Sequence, residues 1–246
     1  MTHEQTMQKL KDMRLHAMAE AWQEQERLDM CAHLSFADRL GLLVDAQWLD
    51  RKNGRYQRLV NQARFSNRQA SLEDLDYAPD RKLNRQLILE LASCNYIKHA
   101  RNVVIMGATG AGKSYLAQAL GRQACAHGLS TRYVTLPDLL DEMHMAQSVS
   151  IAEFQKIRKR YARYRLLIID EWLTFPIDEK GTETLLRLLE QRSYNGSTMV
   201  VSQLDPAEWL DSIPLAVAAE AITDRIISRA HRITIHGDES MRSRIS

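Results

Sequence analysis

Apolar residues change their period once along this chain. Up to about residue 75 they recur every three or four positions, as on helices with one buried face. Leu10, Met13, Ala17 and Ala21, with Met18 and Trp22 beside them, form the first such stripe. Ser35-Phe36-Ala37-Asp38 has the form of a capping box and opens a second helix. Its stripe is Phe36, Leu40, Leu43, Val44 and Trp48, and Asn53-Gly54 breaks or ends it. Ser71-Leu72-Glu73-Asp74 starts another capped segment, punctuated by Ala78-Pro79. No run in this region reads as a buried parallel strand.

From Asn102 onward, short apolar runs alternate with helical stretches. The predicted strands are Val103-Val104-Ile105-Met106, Arg132-Tyr133-Val134, Leu166-Leu167-Ile168-Ile169, Thr198-Met199-Val200-Val201 and Ile233-Thr234-Ile235. Helical stretches occupy 114–127 and 215–230, and Thr135-Leu136-Pro137-Asp138 caps a helix with proline in its first turn. Apolar strands separated by helices predict an α/β fold whose parallel sheet is covered on both faces. The boundary falls between residues 72 and 101. We expect a small all-helical N-terminal domain over 1–75 and the α/β domain over 76–246.

Composition narrows the class. The chain has 246 residues, 45% hydrophobic and 26% charged, and no apolar run long enough to span a membrane. Its first residues are too charged for a secretory signal. Cys31, Cys94 and Cys125 form no CxxC pair, which points to reduced thiols in a cytoplasm and against a zinc site. The net charge of +2 hides two cationic stripes. Residues 51–72 hold Arg51, Lys52, Arg55, Arg58, Arg64 and Arg68 without an acid. Residues 155–165 hold Lys156, Arg158, Lys159, Arg160, Arg163 and Arg165, again without an acid. One such stripe is commonly a solvated helix face; two favour nucleic acid. Phe154, Ile157, Tyr161 and Tyr164 lie on one face of the second stripe and read as core rather than as a base-stacking platform.

Gly107-Ala108-Thr109-Gly110-Ala111-Gly112-Lys113-Ser114 fits G-x-x-x-x-G-K-[ST], after a strand and opening a helix. Converging backbone N–H groups need glycines that turn sharply and leave space for phosphate. The contact set for ATP is therefore Gly107 to Ser114 with Tyr115. Lys113 reaches the β- and γ-phosphates, and the Ser114 hydroxyl ligates Mg²⁺. The strand at 166–169 runs into Asp170-Glu171, at the sheet edge where ligands bind. Asp170 would hold Mg²⁺, and Glu171 would polarise the attacking water. Ser202 and Gln203 reach the same edge, either as γ-phosphate contacts or as an ordinary polar strand end. Arg225 and Arg229 either complete a neighbouring subunit's site or form surface ion pairs. The chain has no Asn-Lys-x-Asp, which disfavours a GTPase, and no Leu-Ser-Gly-Gly-Gln, which disfavours a transporter ATPase.

These residues, together with Leu34-Ser35-Phe36, Arg39-Leu40, Ser202-Gln203-Leu204, Trp209, Asp224-Arg225, Ala230-His231-Arg232-Ile233 and Glu239-Ser240-Met241-Arg242, give the chain a resemblance to the IstB family. Its members are ATP-binding helper proteins encoded beside the transposase in bacterial insertion sequences. The resemblance implies an AAA+ ATPase related to replicative helicase loaders. It implies a homo-oligomer assembled with ATP on duplex DNA with little sequence preference, and delivery or activation of a transposase like IstA. It makes Lys113 and Ser114 the Walker A pair and Asp170-Glu171 the Walker B pair. Ser202 or Gln203 falls at the first sensor, and Arg225 at the arginine finger. The residues after Arg242 leave no room for a full C-terminal helical lid. The family more often has two aspartates at Asp170-Glu171, Trp-Gly at Trp172-Leu173, and threonine at Ser114. A helicase loader is the alternative reading. A metabolite kinase is disfavoured because no acceptor pocket or lid follows the P-loop.

Overall fold

The computed structural model describes residues 3–27 and 33–236. Cys31 and the Glu239–Arg242 motif lie outside them. The chain divides into two compact units, Met1–Arg58 and Leu59–Ser246.

In the first unit, α1 (His3–Asp12) and α2 (His16–Arg27) are separate helices. The single stripe expected across 10–21 is interrupted at Arg14, whose left-handed backbone (φ 59°) reverses the chain. Met7, Leu10 and Ala19 are buried, with Leu15, Met18 and Trp22 packed on them. The third helix, α3 (Phe36–Ala63), begins at the predicted cap, where Ser35 Oγ accepts the Asp38 N–H at 3.2 Å. It does not stop at Asn53-Gly54. A glycine inside a helix costs only about 1 kcal/mol, and here it is spread over a 28-residue helix. The predicted stripe is not a core face either: Leu43 is buried, but Phe36, Val44 and Trp48 are all more than half exposed.

The second unit begins inside α3, earlier than residue 75. The segment after α3 is tied to the sheet's own helices and so belongs to the α/β unit. The Ser71 N–H donates to Tyr115 Oη at 3.1 Å, and Asn67 N–H to Gln118 Oε1 at 2.7 Å. Ser71 opens no helix. Its Oγ accepts from Glu73 N–H, two residues on, and makes a local turn. A 3₁₀ turn at Pro79–Arg81, α4 (Arg85–Ala92) and α5 (Asn95–Lys98) lead into the sheet.

The five predicted strands form β1 (Val103–Gly107), β2 (Thr131–Thr135), β3 (Leu166–Asp170), β4 (Ser197–Ser202) and β5 (His231–Ile235). All pairings are parallel, in the order β2-β3-β4-β1-β5. The helices between them are α6 (Lys113–Ala126), α7 (Leu136–Val149), α8 (Ile151–Arg163), α9 (Glu179–Arg192) and α10 (Ala216–Ile227). Every residue of β3 is buried, as a central strand covered on both faces must be. Val104, Ile169 and Val200 pack with Leu185, Ile222 and the edge-to-face pair Trp172–Trp209, whose rings lie 5.6 Å apart. Register brings Asp170 beside Thr135 and Ser202 beside Met106, so these residues end their strands on one edge of the sheet.

At the opposite edge, Asn102 ties the strand starts to α10. Its amide donates to the carbonyls of Arg225 and Ile226 and accepts the Thr198 N–H. No helix of the described residues is long and apolar enough to cross a membrane.

Candidate nucleotide-binding site

The site begins where β1 meets β5. Gly107 has φ 148°, and a Cβ there would lie 2.3 Å from the Ile235 carbonyl oxygen. Only glycine lets the strand turn into the loop at this point. Gly110 (φ 80°) and Gly112 (φ 87°) supply the left-handed turns that follow. Helix α6 has Gly112 at its N-cap and no side-chain cap. Its first N–H groups are therefore without intrahelical acceptors and carry the positive end of the helix dipole. An anion satisfies both requirements, so the loop fits a phosphate chain.

Lys113 is buried, and its Nζ donates to the Ala108 carbonyl at 2.8 Å, closing over the loop. Burial lowers its pKa, and the nearby Asp170 carboxylate acts in the opposite direction. Behind the loop lies a residue that no motif signals. Arg81, only 4% exposed, donates from Nη2 to the Ala111 carbonyl at 2.7 Å and from Nη1 to the Asp76 carbonyl. It fixes the outer wall of the P-loop from the preceding segment.

Asp170 is buried at the end of β3, with both oxygens engaged. Oδ2 accepts the Tyr133 hydroxyl at 2.6 Å, and Oδ1 accepts the Glu171 N–H at 2.8 Å. Burial and the Asp170 carboxylate push the Tyr133 pKa well up, so the phenol keeps its proton and acts as a donor. Tyr133 reads in the sequence only as a strand residue, and no motif marks its hydroxyl. Glu171 is exposed and has a left-handed backbone (φ 54°), which turns its side chain out of the strand line. It lines a cleft with Pro137, His144 and Phe175.

The two polar residues at the end of β4 part company. Ser202 is buried; its hydroxyl donates to the Trp172 carbonyl at 2.9 Å and accepts the Leu204 N–H. Gln203 is exposed and faces the P-loop, where its Oε1 accepts the Thr109 hydroxyl. Ser114 and Tyr115 follow Lys113 in the first turn of α6, both partly buried. Arg225 is not brought to this site. Its backbone is bonded by Asn102, at the strand-start edge, and its guanidinium donates to the Ala221 carbonyl and to Glu190 Oε1 at 3.1 Å.

Ser114 and Asp170 offer a hydroxyl and a carboxylate, hard oxygen donors of the kind Mg²⁺ takes alongside phosphates and water. Among the described residues no cluster of three or more His, Cys, Asp and Glu could hold a metal by itself. The donor set thus fits a metal that arrives with a nucleotide.

The cationic stripes are of two kinds. Arg51, Lys52, Arg55, Arg58, Arg64 and Arg68 are all exposed. On α8, Phe154 and Tyr161 are buried, the arrangement expected of a core face. Arg160 is paired with Glu142, Lys156 with Glu153 at 3.2 Å, and the Arg158 guanidinium lies over the Phe154 ring. Lys159 and Arg163 remain the outward-facing cations of that helix.

The IstB-like ATP binding protein family matches residues 8–246. An insertion sequence ATP-binding protein of Sinorhizobium fredii, y4pL, is 35% identical over 241 residues, 97% of this chain and 96% of that protein. The ATP-binding protein of insertion sequence IS1162 from Pseudomonas fluorescens is 37% identical over 204 residues, 83% of this chain and 87% of its own. Among solved structures, AMPPCP-bound DnaA from Aquifex aeolicus superimposes with a TM-score of 0.58 at 19% identity. That match covers 74% of this chain and about half (54%) of the DnaA chain. The DnaC helicase loader gives 0.53 at 16% identity, over 61% of this chain and 86% of that one. At such identities the likeness is one of fold.

Proposed function

The chain belongs to the family of IstB-like ATP-binding proteins and is a P-loop ATPase of AAA+ architecture, and from that premise we propose that it is a transposition helper that assembles on duplex DNA and delivers or activates a cognate transposase. The observation that carries the proposal is the union of two features. One is the uncapped glycine loop facing Asp170 and Gln203 at a single sheet edge. The other is similarity to insertion-sequence ATP-binding proteins over nearly the whole chain.

In this reading the loop from Gly107 to Gly112 and the start of α6, through Ser114 and Tyr115, cradle the triphosphate. Lys113 leaves the Ala108 carbonyl for the β- and γ-oxygens. Ser114 and Asp170 would hold Mg²⁺, which would offset the charge developing on the phosphate oxygens. Glu171 rotates in from its cleft and orients the attacking water, and Gln203 gives up Thr109 for the γ-phosphate. Hydrolysis is then a matter of positioning and electrostatics rather than covalent catalysis.

Arg225 lies far from its own P-loop, so it serves a nucleotide only across a subunit boundary. ATP then acts as a clamp between copies, and its hydrolysis loosens the assembly. The exposed cations of α3 and the segment after it, with Lys159 and Arg163 of α8, supply sequence-independent contacts to phosphate backbones.

The test is ATP hydrolysis with and without duplex DNA of unrelated sequences, at low and moderate salt, alongside pull-downs with a transposase of the IstA type. Stimulation by any duplex and retention of the transposase support the proposal. A rate indifferent to DNA, or capture of a replicative helicase in place of the transposase, overturns it. Arg225→Ala adds a second arm: assembly should fall while nucleotide affinity holds.

A further inference from the structure

Asp170 is not held by the sheet alone. The hydroxyl that fixes its Oδ2 belongs to Tyr133, and Tyr133 is in turn engaged by the segment that follows α3. The Tyr133 ring lies 6.5 Å from that of Phe65, centroid to centroid, and Ser66 follows in the same segment. The Ser66 hydroxyl lies 3.1 Å from Gln118 Oε1, which also accepts the Asn67 N–H at 2.7 Å. Gln118 is almost fully buried on α6, the helix that the P-loop opens. Phe65, 4% exposed, packs between the Tyr133 ring at 6.5 Å and Gly121 of α6, where a Cβ would lie 2.7 Å from its ring. Residues 65–67 thus touch both the helix that presents Lys113 and the tyrosine that orients the Walker B carboxylate. Flanking them are Arg64, where α3 ends in a left-handed turn (φ 57°), and Arg68, both exposed.

We propose that Tyr133 is a positioning residue for Asp170, and that it makes this carboxylate respond to the segment carrying Arg64 and Arg68, so that a duplex phosphate backbone seated on those arginines changes the affinity for the metal–nucleotide complex. The coupling half rests on the DNA reading above; the positioning half does not. The physical content is short. A carboxylate beside a metal is oriented by its outer hydrogen bonds, and losing one such bond weakens metal affinity. Here the outer bond is donated by a side chain whose ring lies against Phe65, in a segment bearing two exposed cations. Phosphates drawn to Arg64 and Arg68 pull on Phe65 and Ser66; Phe65 passes the shift to the Tyr133 ring, and Ser66 passes it to Gln118 of α6.

The test is binding of a fluorescent ATP analogue to the full chain over a Mg²⁺ titration, with and without a short duplex, and duplex binding followed separately by anisotropy. Tyr133→Phe should leave Mg²⁺-free nucleotide affinity unchanged and raise the Mg²⁺ concentration for half-maximal binding by about tenfold. It should also erase any shift caused by the duplex. Ser66→Ala, at an exposed position, should keep the wild-type Mg²⁺ titration and lose only the duplex-induced shift. A wild-type Mg²⁺ dependence in Tyr133→Phe overturns the positioning role, and a full duplex shift in Ser66→Ala overturns the coupling. If the wild-type chain binds no duplex, the coupling falls together with the DNA reading, and the Mg²⁺ titration of Tyr133→Phe still decides the positioning role.

Discussion

The Thr109 hydroxyl donates to Gln203 Oε1 at 2.8 Å, joining the middle of the phosphate loop to the residue just beyond β4. The bond spans 94 positions of sequence and crosses the mouth where a γ-phosphate would sit. Two adjacent polar residues are separated by it: Gln203 points into the site, while Ser202 is consumed in bonds to Trp172 and Leu204.

The two should therefore fail differently. Gln203→Ala is expected to lower the rate of hydrolysis about tenfold or more, the order seen when one transition-state donor is lost, with little change in nucleotide affinity or stability. Ser202→Ala should cost roughly 1–2 kcal/mol of stability, since it leaves the buried Trp172 carbonyl without its donor. Steady-state kinetics beside urea denaturation separates them. A large kinetic effect from Ser202→Ala with unchanged stability would reverse the assignment.

The closure of β1 on β5 makes Gly107 more than a loop residue. Its φ of 148° is strained for any L side chain, and an added Cβ meets a backbone oxygen that cannot step aside. Gly107→Ala should destabilise the α/β unit by about 3 kcal/mol or more, combining backbone strain with a steric clash. Nucleotide affinity should fall with it, because β5 and the loop shift together. Thermal melting with and without ATP reads both effects; a variant that melts like the wild type would show that the junction has slack.

The sheet, its P-loop and its strand-end acids were legible because each rests on a local rule. Parallel strands covered on both faces are apolar along their length, as over residues 166–169, and a glycine loop declares itself by spacing. What stayed illegible was decided at long range. Arg81 and Tyr133 act on the site through bonds to residues 30 and 37 positions away, and nothing in their immediate neighbours marks them. The helical boundaries failed for a related reason. Asn53-Gly54 is a local breaker inside a helix long enough to absorb it, and Ser71 has a cap's composition but donates its N–H to Tyr115. The exposed stripe of α3 shows the limit of periodicity: spacing says which residues share a face, and not whether that face is buried.

The cations of α8 were read as one set and should divide on mutation. Arg160 is committed to Glu142, which also accepts from Tyr161. Burial alone would raise the Glu142 pKa, but the hydrogen bonds from Tyr161 and Arg160 outweigh it and the net shift is downward. A carboxylate with a depressed folded pKa contributes stability above its unfolded pKa and loses it as pH falls through the folded one. The Arg160–Glu142 link should therefore be intact at neutral pH and fail below the ordinary carboxylate range. Arg160→Ala should lower stability at pH 7 more than at pH 3, with duplex affinity little changed. Lys159→Ala with Arg163→Ala should leave stability alone, weaken duplex binding and flatten its salt dependence by about one logarithmic unit of slope per lost phosphate contact. Equal losses of duplex affinity in both variants would mean that the helix acts as a single cationic face.

Arg192 offers the sharpest test of what holds the scaffold behind the site. It is 1% exposed and has no acidic partner among the described residues; its guanidinium donates to the carbonyls of Tyr161, Tyr164 and Ser197 and to the Thr198 hydroxyl at 3.0 Å. These acceptors belong to the end of α8, the approach to β3 and the start of β4, so one side chain ties three elements at the strand-start edge. Burial pulls its pKa down to about 9, and the ring of carbonyl dipoles is what keeps the cation there at neutral pH. Arg192→Leu fills similar space but strands the carbonyls, each costing about 1–3 kcal/mol when left unpaired and dry. The loss should reach roughly 3 kcal/mol or more in urea denaturation, even after local relaxation and water entry. Arg192→Lys should recover only part of it, because one ammonium cannot span acceptors that a planar guanidinium reaches from three nitrogens. Full recovery by lysine would mean that charge, and not the fork of donors, is what the strand starts require.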